Sequence, residues 1–102
     1  MLHHIGMLTL ATQAGAAERD AIVQGLSDLV GVVPGLLSAD VRADAGLKDG
    51  NADLLFTMAF GDEEAWRAYG DHPAHQAVVK DHIAPVLAAK AFLQVRGDAP
   101  QS

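Results

Sequence analysis

A phenol and two imidazoles crowd one short stretch of this chain, Tyr69-Gly70-Asp71-His72-Pro73-Ala74-His75-Gln76. Imidazole titrates near neutrality, with an ordinary pKa of about 6.5, so a histidine can take or give a proton unaided. A tyrosine hydrogen-bonded to it can orient it, or donate to an oxygen on a bound molecule. The proline decides where these groups stand. Its preset φ and missing N–H suit the first position of a helix, so His72 becomes the residue before that helix and its cap. His75 then falls in the first turn, and Tyr69 at the end of the preceding helix, close enough to meet it across the corner.

The elements that must position these groups follow from periodicity. Leu2 to Ala11 reads as a strand, and Ile22, Leu26, Leu29, Val30 and Val33 recur at helical spacing through a helix over about 17–32. Gly25 weakens that helix by roughly 1 kcal/mol relative to alanine, so close packing must offset it. Pro34-Gly35 signals a turn. Leu36 to Ala43 follows as a strand with Leu37, Ala39, Val41 and Ala43 on one face, and Asp53 to Phe60 as a third. Asp62 caps a short helix with Glu63 and Glu64 in its favourable first turn. A second short helix runs from Pro73 to about Ile83, Pro85 interrupts it, and Ala89 to Arg96 forms the last strand. The fold class is therefore α+β, ferredoxin-like β-α-β-β-α-β, with a four-stranded antiparallel sheet and both helical regions on one face.

Both faces of that sheet are apolar. Leu54-Leu55-Phe56-Thr57-Met58-Ala59-Phe60 does not alternate, and in the first strand Leu8 and Leu10 oppose Ile5 and Met7. A half-solvated sheet would alternate. The helices cover one face only, so a second sheet from an identical subunit is expected on the other, making a homodimer with a dimeric α/β barrel. A monomer with a tolerably exposed sheet is the alternative.

Alternation also puts His4, Gly6, Leu8 and Leu10 on the helix side. His4 then looks into the same cavity as Tyr69 and His75, with Leu54 and Phe56 lining it and Leu26 and Trp66 arriving from the helices. An apolar cavity with a few convergent polar groups is the usual form of a small-molecule site, here for a small apolar ligand. The competing reading is structural, with Tyr69 and His75 satisfying each other's hydrogen bonds and locking the corner. His3, on the opposite face, reads as a satisfied buried histidine. No metal site is assigned, because a zinc site wants three converging ligands and capping turns His72 away. The segment from Asp44 to Asp53 lacks the ligand spacing of a calcium loop.

Composition narrows the partners. At 102 residues the chain is one domain, 1–97, with a loose tail at 98–102. A net charge of -6 and only seven scattered Lys and Arg argue against nucleic acid and anionic membrane. With no cysteine, thiol catalysis and disulfides are excluded. The first strand lacks a basic start and is interrupted by His3, His4, Gly6 and Thr9, so it is no export signal, and a cytoplasmic protein is expected.

Ala68-Tyr69 followed by His72-Pro73-Ala74-His75-Gln76 resembles the signature of the stress-responsive A/B barrel domain (Dabb) family. The resemblance runs from about Leu2 to Gly97, through His3-His4-Ile5, Val33-Pro34-Gly35-Leu36 and Phe60-Gly61-Asp62-Glu63-Glu64-Ala65. It implies the same dimeric barrel. A plant member of the family cyclises a linear polyketide with the tyrosine and second histidine of this corner. Carried over, these are Tyr69 and His75, with His4 matching a first-strand histidine. The implied chemistry is a cofactor-free, aldol-type ring closure or isomerisation, with His75 as general base and Tyr69 steadying an oxyanion. Leu26 and Leu54 depart from that member, which has a polar aromatic and a histidine there. The resemblance leaves the chemistry unassigned, and whether the chain is an enzyme stays open. Monooxygenases of antibiotic biosynthesis or haem degradation share the architecture, but no motif specific to them occurs.

Overall fold

Strand β1 (Leu2–Leu10) is an inner strand of a four-stranded antiparallel sheet in the computed structural model, which describes residues 1–97. The elements follow as α1 (Ala16–Ser27), β2 (Leu36–Ala43), β3 (Leu54–Phe60), α2 (Glu63–Asp71), α3 (Pro73–Val78), a π-helical turn (Val79–Ile83) and β4 (Leu87–Arg96). Strand order is β2-β3-β1-β4, the ferredoxin-like arrangement. The tail expected at 98–102 lies outside the described residues.

Register sets the faces. His4 pairs with Met58 and Gln94, Gly6 with Phe56 and Phe92, and Leu8 with Leu54 and Lys90. Because side chains alternate along a strand, all of these share the helix side. There Leu8, Phe56, Met58 and Phe60 bury against Ile22 and Leu26 of α1, Tyr69 of α2, and Val78 and Ile83. Gly25 allows this closeness, since a methyl group there would stand 3.1 Å from Val78 Cγ1.

Two expectations shift. Helix α1 ends at Ser27, not near Val32, with Asp28 as its C-cap and Gly31 at φ +88° in the turns that follow. Leu29 and Val33 are still buried, but Val30 faces out, so the apolar spacing continued through turns rather than helix. In β2 the register shifts between Leu36 and Ser38. That bulge buries Leu36 and leaves Leu37 exposed, so Leu37 does not share the face of Ala39, Val41 and Ala43.

The corner is capped as its residue types require. Asp62 accepts a hydrogen bond from the Ala65 N–H at 2.8 Å, and His72 Nδ1 accepts one from the Ala74 N–H at 3.0 Å. After α3 the chain widens into the π-helical turn, where the Ala84 N–H reaches the Val79 carbonyl at 2.7 Å. Pro85, which has no N–H to continue the ladder, follows at once.

The far face has no cover of its own. Met7, Leu55, Leu93 and Val95 are 43–55% exposed there. At the β2 edge of this face Asp40 and Arg42 pair with each other at 3.1 Å. His3 is not satisfied as expected, for its Nε2 is buried without a hydrogen-bond partner among the described residues.

Candidate functional site

Gly6 makes the room for the site. A methyl group there would collide with the Phe56 ring and come within 2.6 Å of Phe92 Cδ1, so both rings fold over a bare backbone. Their centroids lie 5.5 Å apart at 69°, an edge-to-face contact. His4, next on the same face, stands at 5.1 Å from Phe56, 5.5 Å from Phe92, 6.0 Å from Trp66 and 6.1 Å from Tyr69. Tyr69 in turn lies against His75, with ring centroids 4.1 Å apart and planes tilted by 39°. The strand histidine, the helix-end tyrosine and the first-turn histidine therefore meet, as alternation and the proline corner required.

Their contact differs in kind from the expected one. Tyr69 and His75 meet ring against ring at a tilt, and no hydrogen bond joins them among the described residues, so they do not satisfy each other. His75 Nδ1 is buried with no hydrogen-bond partner among the described residues. His4 is the group that is held, with Gln94 Nε2 at 3.0 Å from its Nδ1. With the amide nitrogen as donor, Nδ1 accepts and the ring proton sits on Nε2.

Burial sets the charge of all three groups. It is the main cause that lowers the His4 pKa to about 4, with the nearby His75 adding to it. Burial also lowers the His75 pKa, against a Gly70 backbone hydrogen bond that raises it and with His72 lowering it further. Burial alone raises the Tyr69 phenol. At neutral pH the site thus holds two uncharged imidazoles and a protonated phenol, which can accept a proton, or donate hydrogen bonds, at fixed places.

These groups border a cavity of about 340 Å³ behind them and an open depression of about 540 Å³ in front. His4, Tyr69, His75 and Phe92 line both. Leu26 and Phe56 line the inner space, and Trp66, expected in the same cavity, lines the outer depression instead. Leu54 does not reach either. It lies two rungs along β3 from Phe56 and borders a groove with Met7, Arg42 and Leu55 at the other end of the sheet. Sequence reasoning missed Lys90, Phe92 and Gln94. All three lie on the helix side of β4, and alternation could have grouped them, but only register shows that Gln94 lies opposite His4, Phe92 opposite Gly6 and Lys90 opposite Leu8. Among the described residues no three His, Asp or Glu side chains converge on a point.

A family model, the Stress responsive A/B Barrel Domain, matches residues 2–93. No curated protein matches the chain. Among solved structures, a dimeric ferredoxin-like protein of unknown function from Thermobifida fusca is similar at 31% identity and TM-score 0.81, over 92% of this chain and 88% of that one. A Dabb family protein from Mesorhizobium loti is similar at 20% identity and TM-score 0.77, over 96% and 97% of the two chains. The hydroxynitrile lyase of Passiflora edulis has TM-score 0.79 at 14% identity, over 97% and 96%. The last two likenesses are of fold alone.

Proposed function

The chain belongs to the stress responsive A/B barrel domain family, and from that premise we propose a homodimer whose subunits each bind a small, largely apolar molecule between sheet and helices. The observation that carries the binding reading is the cavity of about 340 Å³, apolar in most of its lining, onto which His4, Tyr69 and His75 converge. A buried Nδ1 on His75 without a partner is costly unless something supplies one. A bound molecule with one polar group would do so. The test is a fragment screen followed by amide chemical shifts. Binders should perturb Gly6, Phe92 and His75 and lose most of their affinity in His75→Ala. Binders that cluster elsewhere, or none, would end this reading.

The homodimer is supported by the uncovered apolar far face and by the similar Thermobifida protein, which is dimeric. The cytoplasmic location expected from the sequence belongs to the same proposal. Among the described residues no helix is long and apolar enough to cross a membrane.

A second, enzymatic reading rests on the neutral state of the groups. An uncharged His75 whose Nδ1 has no partner among the described residues can remove a proton α to a carbonyl. The oxyanion left behind would take a hydrogen bond from the Tyr69 hydroxyl or the His4 Nε2–H. The same imidazole returns the proton, so no cofactor enters. The Passiflora structure supports this only in that the fold can carry a lyase. Deuterium uptake at the α-carbon of a bound ketone in D2O would test it. Uptake equal to the protein-free rate would remove the enzyme and leave the binder.

A further inference from the structure

The geometry points to an anionic ligand: an apolar molecule ending in a carboxylate, received by Lys90. The inference rests on the binding reading above and specifies its ligand. Among the described residues, Lys90 is the one charged side chain that lines the inner cavity. Its position opposite Leu8 puts it on the helix side of β4, about 13 Å along the sheet from the His4 rung, at roughly 3.3 Å per residue. Its side chain turns back toward that rung, with Nζ 5.3 Å from the centroid of the Phe92 ring.

The surrounding charges give the same direction. Arg67 and Arg96 are already spoken for by Glu63, Arg67 at 2.7 Å. Lys90 has no carboxylate partner among the described residues. Asp71 borders the outer depression and repels an anion from that side, while His4 and His75 are neutral and offer an anion no charge. Among the described residues that line the cavity and the depression, the cation left for a carboxylate is therefore Lys90, where a charge-assisted hydrogen bond can form. The apolar body then lies along Phe92, Leu87 and Ile83. Its far end reaches Tyr69 and His75, where a second polar group on the molecule would meet the His75 Nδ1.

The test compares hexanoate with hexanamide, which are alike in shape and differ in charge, by amide chemical-shift titration of the whole protein and of Lys90→Gln. The variant keeps most of the side-chain stem, and its spectrum also reports whether the fold is kept. Hexanoate should bind the wild type about 2- to 5-fold more tightly, the size of an exposed charge contact, and Lys90→Gln should erase the preference. Equal affinity of acid and amide for the wild type would overturn the anion assignment while the cavity still binds. A preference that survives Lys90→Gln would overturn the role of Lys90. Absence of any shift at Gly6, Phe92 and His75 with both probes would count against the cavity reading itself, and against this inference with it.

Discussion

The two faces of one sheet carry apolar side chains of similar kind and meet different ends. On the helix side Leu8, Phe56, Met58 and Phe60 are sealed, and the only large apolar ring left in the open is Phe92, beside three polar groups. On the far side Met7, Leu55, Leu93 and Val95 lie bare across β1, β3 and β4, with the Asp40–Arg42 pair at the β2 edge. The difference teaches what an uncovered apolar surface is for. A small concave one with converging polar atoms suits a ligand. A broad sheet face, with one unpartnered histidine nitrogen, suits another sheet.

The strongest way to break this contrast is a charge on the far face. Leu93→Asp should weaken association by roughly 100-fold or more, because an unpaired charge buried between sheets costs about 3–5 kcal/mol. Light scattering at micromolar concentration should then give a monomer mass for the variant and a dimer mass for the wild type. Probe binding on the helix side should persist wherever the variant stays folded. A wild type that is already monomeric removes the contrast altogether.

Gly6→Ala tests the other face. The added methyl overlaps Phe56 and Phe92, so a loss of about 1–3 kcal/mol in stability is expected, as for overpacking. The cavity should close to probes while the dimer mass stays the same. Retained binding with unchanged stability would show that the rings have another place to go.

Acid should act mainly through the helix face. Folding holds His4 neutral with its pKa lowered to about 4, against about 6.5 unfolded. The unfolded chain therefore binds more protons in this window. Stability from this group is complete above the unfolded pKa and is lost as pH falls toward about 4. Allowing for solvent screening, the loss is about 1–2 kcal/mol. His75, also lowered, adds to it in the same direction. Urea denaturation between pH 7.5 and pH 4 measures it, and His4→Phe should flatten much of the slope. An unchanged slope in that variant would place the acid sensitivity elsewhere, with His75 as the next residue to replace.

The smallest effect is expected at the corner itself. His72→Ala removes the cap on α3 and should cost about 0.5–1 kcal/mol in thermal denaturation, with ligand affinity little changed. A loss of binding as large as that of His75→Ala would mean that the corner, rather than the imidazole, makes the site.

Much of this was legible in the chain itself. Proline at 73 placed His72 as cap and His75 in the first turn, because φ and the missing N–H act locally. Strand alternation paired His4 with that corner, and the failure of alternation over 54–60 announced two apolar faces. Capping and periodicity depend on near neighbours, which is why they can be read one residue at a time. Only the tertiary structure decided the rest. It slid Leu37 out of its face by a bulge, ended α1 at Ser27, put Leu54 away from the cavity and brought Gln94 and Lys90 into it. Register between strands far apart in sequence is a global property of the packed sheet, set by what fits across Gly6 and not by any one segment. The uncharged state of His4 and His75 is likewise a product of burial, and burial exists only once the sheet and helices have closed.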